Sequence, residues 1–392
     1  MPTDSVTVSR ASPGLLFSYP FRIFFLSLAV FGVIYVPLWV AQVYGAIDLP
    51  LALPALYWHK HEMLFGFLSA AIAGFLLTAV CVWTGTERLQ GRRLFGLWLV
   101  WLAGRILLVG GENVPVAVVH LVNLSFLPLV MMDAGWRIWH ARQRRQLAIL
   151  LVLGLLWAMQ AGFVMTFNPV FVSGGLVMAM ALSGVIGGRI TPAFSSGWLR
   201  QQGRDSSTVK VVPRLDALSL ATMVILLVVL LIGNQWGTGL TALVAALLML
   251  VRIVGWKGWL VARNPLLWIL HVSLLWIPVA LFLLAGNQLL GWTASAWVHA
   301  AGVGVVGSLV LGVIARVSLG HTGRALVLPS GMVVAFVMIQ AAAMVRVMTA
   351  FAVVDWGAGV RLSGALWVLS FLVLLIRYAG ILMKPRADGL EG

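Results

Sequence analysis

Seven histidines lie in a chain dominated by apolar residues, and two of them stand close together in Trp58-His59-Lys60-His61-Glu62-Met63. An imidazole inside a bilayer is costly without a metal, a proton path or a hydrogen-bond partner. Met63 follows His59 by four residues, so the two share a face if the helix starts early. Imidazole plus thioether is a donor set for copper, Cu(I) above all. Alternatively, one imidazole of the pair could join His120 or His299 as axial ligands of a haem. Two residues turn a helix by about 200°, so His59 and His61 cannot present both rings on one helical face. Either His59 lies in an extended lead-in after Pro54, or the two histidines serve different sites. The plain alternative is an interfacial aromatic and polar belt with Trp58.

The elements that must carry these residues are membrane helices. Of the 392 residues, 61% are hydrophobic and only 9% are charged, against about 25% charged in a soluble domain. The expected fold is all-α, a polytopic bundle of about twelve transmembrane helices in a single integral membrane domain over 1–392. Spans are expected at 21–44, 61–83, 93–110, 114–135, 147–166, 170–187, 216–235, 238–256, 264–286, 294–315, 329–352 and 359–383. A polar cytoplasmic loop, 188–215, then separates helices 1–6 (21–187) from helices 7–12 (216–383). No sequence repeat relates the two halves. Met1 to Tyr19 shows no signal-peptide pattern, so the first apolar segment is expected to remain as an anchor. The lone Cys81 excludes an internal disulfide framework and any CxxC motif.

The net charge of +15 points to topology rather than to nucleic acid. Arg88, Arg92 and Arg93, then Arg142, Arg144 and Arg145, then Lys257 and Arg263 all follow even-numbered spans. Asp48, Glu112 and Asp355 lie in the opposite loops. The positive-inside rule then places both termini in the cytoplasm. Gly304, Ser308 and Gly312, four apart, give the tenth helix a face for close packing.

That orientation converts residue number into depth. His59 and His61 lie at the outer mouth of the second span. His120 and His299 each sit about five residues into their spans, roughly 8 Å below the outer boundary. Four histidines therefore share one level. His271 falls near the inner face, as an interfacial residue or a second centre. His321 is expected in a turn, and His140 at the headgroups. Arg105 and Arg346 also lie just inside the outer boundary, where a guanidinium needs an anionic partner. Glu62 or Glu112 could supply it, and so could haem propionates through bidentate contacts.

The segment Trp58-His59-Lys60-His61-Glu62-Met63-Leu64-Phe65-Gly66-Phe67, with Ala73-Gly74-Phe75-Leu76-Leu77-Thr78-Ala79-Val80, closely resembles the hallmark of the NnrS family. The likeness continues at Pro20-Phe21-Arg22, Leu102-Ala103-Gly104-Arg105, Pro265 to His271, His299-Ala300 and Arg316 to Arg324, across essentially the whole chain. It implies a multi-pass protein of the bacterial inner membrane that binds haem, of b type, and copper. It further implies a role in capturing or converting nitric oxide and relieving nitrosative stress, with an electron donor still to be identified. On this reading the cofactor residues are His59, His61, His120, His299, His271, Arg105 and Arg346. Copper would draw on His59, His61, Met63, His120 and His299. Two departures stand out: Ser195-Ser196-Gly197 replaces a polar-basic stretch, and Ser308-Leu309 replaces Met and Thr. Two other functions remain open, a carrier for a metal, haem or small anion, and a nitric oxide reductase-like enzyme.

Overall fold

The computed structural model describes residues 13–390; the extreme N-terminal residues, to which the signal-peptide expectation applies, lie outside the described ones. Twelve helices are long and apolar enough to cross a membrane. They are α1 (Pro20–Val43), α2 (Ala55–Thr84), α3 (Gly91–Gly110), α4 (Val116–His140), α5 (Arg144–Thr166) and α6 (Pro169–Gln201). The second six are α7 (Pro213–Ile232), α8 (Gln235–Gly255), α9 (Pro265–Leu290), α10 (Ala294–His321), α11 (Met332–Ala350) and α12 (Trp356–Met383). No strand occurs among the described residues. An even number of crossings returns the chain to the side from which it started.

Local chemistry sets the helix ends. Proline opens α1, α6, α7 and α9, where its missing N–H would be unpaired in any case. Asn168, Asn234, Asn264 and Asp355 each accept a backbone N–H from the first turn they cap. Gly85, Gly233 and Gly291 end α2, α7 and α9 with positive φ.

Burial separates a core from a wrapping. In the most apolar window of α2, 78% of residues are buried, and 72% in α6, α9 and α10; none of the other eight helices exceeds 44%. Helices α2, α6, α9 and α10 are therefore the most buried, and the other eight carry most of the outward-facing surface. The first and last spans are joined by Arg22, which is fully buried and donates to the carbonyls of Leu382 and Lys384 at 2.6 and 2.8 Å. Those carbonyls terminate α12, so the guanidinium serves as its cap.

Three expectations are corrected. The polar loop 188–215 contracts to 202–212, because α6 continues to Gln201. Thr191, Ser195 and Leu199 recur every four residues, and all are fully buried. Arg189 is held by the Gln146 side chain and the Arg145 carbonyl. A polar composition there concealed a helical period. The second helix, expected from 61, starts at Ala55, so His59 is helical, and of the two alternatives for the His59–His61 pair the extended lead-in falls away. His321, expected in a turn, is the last residue of α10.

Both α2 and α10 are interrupted by a π-helical segment, Glu62–Phe67 and Ala300–Gly307. Each begins directly after a histidine, His61 or His299. Such widened turns are frequent at functional sites because they re-aim the side chains around them.

Candidate functional site

Near the cation-poor ends of the helices lies a cavity of about 400 Å³. Its walls come from α1, α2, α6, α10, α11 and α12. His59 and Met63 enter from α2, His299 from α10 and Arg346 from α11, with Lys60 also on the wall. The remaining surface is mainly aliphatic and aromatic, including Phe67 and Trp367. Among the described lining residues there is no carboxylate. The volume falls within the roughly 300–1,000 Å³ usual for cofactor and small-molecule sites.

The histidine rings are held in place by their surroundings. His59 stacks on Trp39 at 4.0 Å with 26° between the planes. Its Nδ1 is 3.4 Å from the Tyr35 hydroxyl. This leaves Nε2 as the nitrogen without that contact. In His299, Nδ1 lies 2.7 Å from the Ser295 carbonyl. A carbonyl can only accept, so Nδ1 carries the proton and Nε2 presents its lone pair. That lone pair accepts from Arg346 Nη2 at 2.9 Å. An imidazole whose far nitrogen donates to a backbone carbonyl is oriented and made more basic, as a metal ligand requires.

His61 occupies a different environment. Gln160 Nε2 donates to its Nε2 at 3.1 Å, so its Nδ1 carries the proton and donates to Glu62 Oε1, also at 3.1 Å. The other Glu62 oxygen pairs with Arg105 Nε at 2.8 Å. Arg105 Nη2 donates to Asn123 Oδ1 at 2.5 Å, and Asn123 Nδ2 to the Val119 carbonyl at 2.9 Å. Trp101 Nε1 donates to the Gly66 carbonyl at 3.0 Å, within the π-helical segment. All of these side chains are buried. A carboxylate paired with a guanidinium and an imidazole meets the condition under which buried charge is tolerated.

The candidate residues therefore divide. His59, Met63, His299 and Arg346 meet at the cavity, whereas His61 and Arg105 belong to the network behind α2. His120 lines neither; it is half-buried beside Phe167 and its Nε2 is without a hydrogen bond. His271 stands on α9, fully in the core, with Nε2 2.9 Å from Ser195 Oγ and Nδ1 without a partner. Equal depth did not make one centre. Among the described residues no three His, Cys, Asp or Glu side chains converge to hold a metal.

Tyr35, Trp39, Ser295, Asn123 and Gln160 were not expected from sequence. Asn123 and Gln160 did carry a signal, as amides inside otherwise apolar spans. Tyr35 and Trp39 look like ordinary aromatic residues of a membrane helix, and only packing sets them against His59.

A twelve-helix membrane bundle enclosing a histidine-lined apolar cavity defines the general class of this protein. More narrowly, a family profile described as NnrS protein matches residues 15–386, and the chain belongs to that family. No curated protein matched the chain.

Proposed function

We propose that this protein binds haem and copper at the cavity between α2 and α10 and captures nitric oxide there. The observation that carries the reading is the convergence of His59, Met63, His299 and Arg346 on one apolar cavity. The residues fit a haem on three counts. Two imidazoles offer nitrogen donors, the walls are apolar, and Arg346 is a cation able to pair with a propionate. Copper would take a soft set of the Met63 thioether and one of the two imidazoles, leaving the other for the haem, because each ring offers one free nitrogen lone pair. Ferrous haem supplies nitric oxide binding, and copper supplies one-electron chemistry.

The protein's own side chains then have distinct tasks. Trp39 and Tyr35 orient the His59 ring. The Ser295 carbonyl keeps the His299 proton on Nδ1. Arg346 donates to Nε2 of His299, the nitrogen that would hold a metal, and would have to release it for that role. The apolar walls keep water out and favour a small uncharged gas. A lining without a carboxylate among the described residues supports capture over a proton-consuming reduction. The cation-rich loops face the cytoplasm in this proposal, which sets the cavity in the outer half of a bacterial inner membrane.

A pyridine haemochrome spectrum with metal analysis of the purified protein tests the reading. A Soret band and bound copper, with spectral change on adding nitric oxide, are the expected results. Their joint absence from protein expressed with haem and copper supplied overturns it.

A further inference from the structure

Below the main cavity, four of its helices, α1, α2, α6 and α10, line a second space of about 60 Å³. The continuity is close. On α2 the cavity wall ends at Phe67 and the second space begins at Leu68. On α6 the two walls follow one another, from Leu176 to Leu182, and on α10 Val306 lines both. Along α10 the distance from His299 to Val310 is roughly 16 Å at a helical rise. Val310 and Ala71 lie near the middle of their spans, and so near the middle of the hydrocarbon.

The chemistry of this space is that of a gas site. Among the described residues lining it, Ser183 alone carries a polar side-chain atom. A water needs two to four polar partners, whereas an apolar cavity stays dry and takes up xenon or a small apolar molecule. At its rim, Phe75, Ile186 and Val313 are only half-buried, while Val306, Val310 and Leu68 are buried. The space therefore runs from the lipid-facing surface of the bundle inward to a wall shared with the His59 and His299 cavity. Small uncharged gases partition into bilayer hydrocarbon, the medium at that rim. The geometry points to a binding site for an apolar diatomic gas that feeds the main cavity from the lipid side. The feeding role rests on the function proposed above; the gas site itself does not.

Two measurements on the full-length protein decide it. Under xenon pressure, a structure of the wild type is expected to hold xenon against Ala71 and Val310, and Val310→Trp is expected to lose it. Absence of xenon, or an ordered lipid chain in the space, overturns the site. In haem-loaded protein, carbon monoxide rebinding after photolysis is expected to slow severalfold in Val310→Trp, because the indole fills the space next to the shared wall. Val313→Ala, which widens the rim, is expected to quicken it, a gain that misfolding does not produce. Unchanged rates in both variants with an intact Soret band overturn the feeding role. A missing Soret band counts against haem binding, and the xenon result still decides the site.

Discussion

The two faces of α2 present histidines two residues apart to opposite kinds of surroundings. Behind the helix, His61 meets a glutamate, a glutamine and, through Glu62, an arginine and an asparagine, with both ring nitrogens engaged. In front of it, His59 faces an apolar cavity with a thioether, a second imidazole and an arginine without a carboxylate on that wall. The closed network pairs its carboxylate, its guanidinium and both His61 nitrogens from within, leaving Gln160 Oε1 without a hydrogen bond, and acts as a girder. The open cavity has donors, a cation and space, and its needs are met by something from outside. The contrast separates residues that hold the bundle from residues that bind.

The largest test of this comparison is Glu62→Ala. It leaves Arg105 buried with only Asn123 and the face of the Trp101 ring, so stability is expected to fall by about 3–5 kcal/mol. Thermal unfolding in detergent reads this as a marked drop in Tm, and an unchanged Tm would remove the girder role. His299→Ala is the opposite case. Haem or copper affinity is expected to fall at least about tenfold, the lower end of what weakening a metal site does. The melting temperature of the apoprotein should stay near that of the wild type. Cofactor titration and apoprotein melting, run together, separate the two effects.

His61→Ala is expected to cost about 1–3 kcal/mol, because Glu62 and Gln160 each lose a buried partner. Its haem and copper content should stay at the wild-type level, and loss of cofactor instead would break the division between the two faces. Gly66→Ala probes the same girder more gently. A methyl group there would lie 2.9 Å from Arg105 Nη1 and 3.1 Å from Glu62 Oε1, so a loss of about 1–2 kcal/mol is expected from crowding. Smallest is Tyr35→Phe, which removes a long 3.4 Å contact to His59. A shift below about 1 kcal/mol is expected, seen as a small change in the Soret maximum with little change in Tm.

Much of the framework was legible in the residues. Long apolar runs marked helices, because a membrane leaves the backbone few other ways to satisfy itself. The 200° offset between His59 and His61 was likewise open to reading, and it separated their sites as helix geometry requires. The extension of α6 through 188–201 was not expected, since its polar residues suggested a loop. Its four-residue rhythm of Thr191, Ser195 and Leu199 was present but outweighed by composition. The shared depth of His120 with the other histidines was a projection onto one axis. Position around the bundle, which a span diagram lacks, left His120 outside the cavity.

What the sequence determined by itself were the spans, their caps and the face of each helix on which a residue stands, all products of neighbours within a turn or two. Only the tertiary structure decided which guanidinium meets which partner. Arg105 and Arg346 sit at similar depths in similar apolar spans, and local sequence does not distinguish them. The packing of α3 against the π-helical segment of α2 gives Arg105 to Glu62, and the meeting of α11 with α10 gives Arg346 to His299. A charge in an apolar medium takes whichever polar group the fold brings within reach, and that reach is set by contacts far apart along the chain.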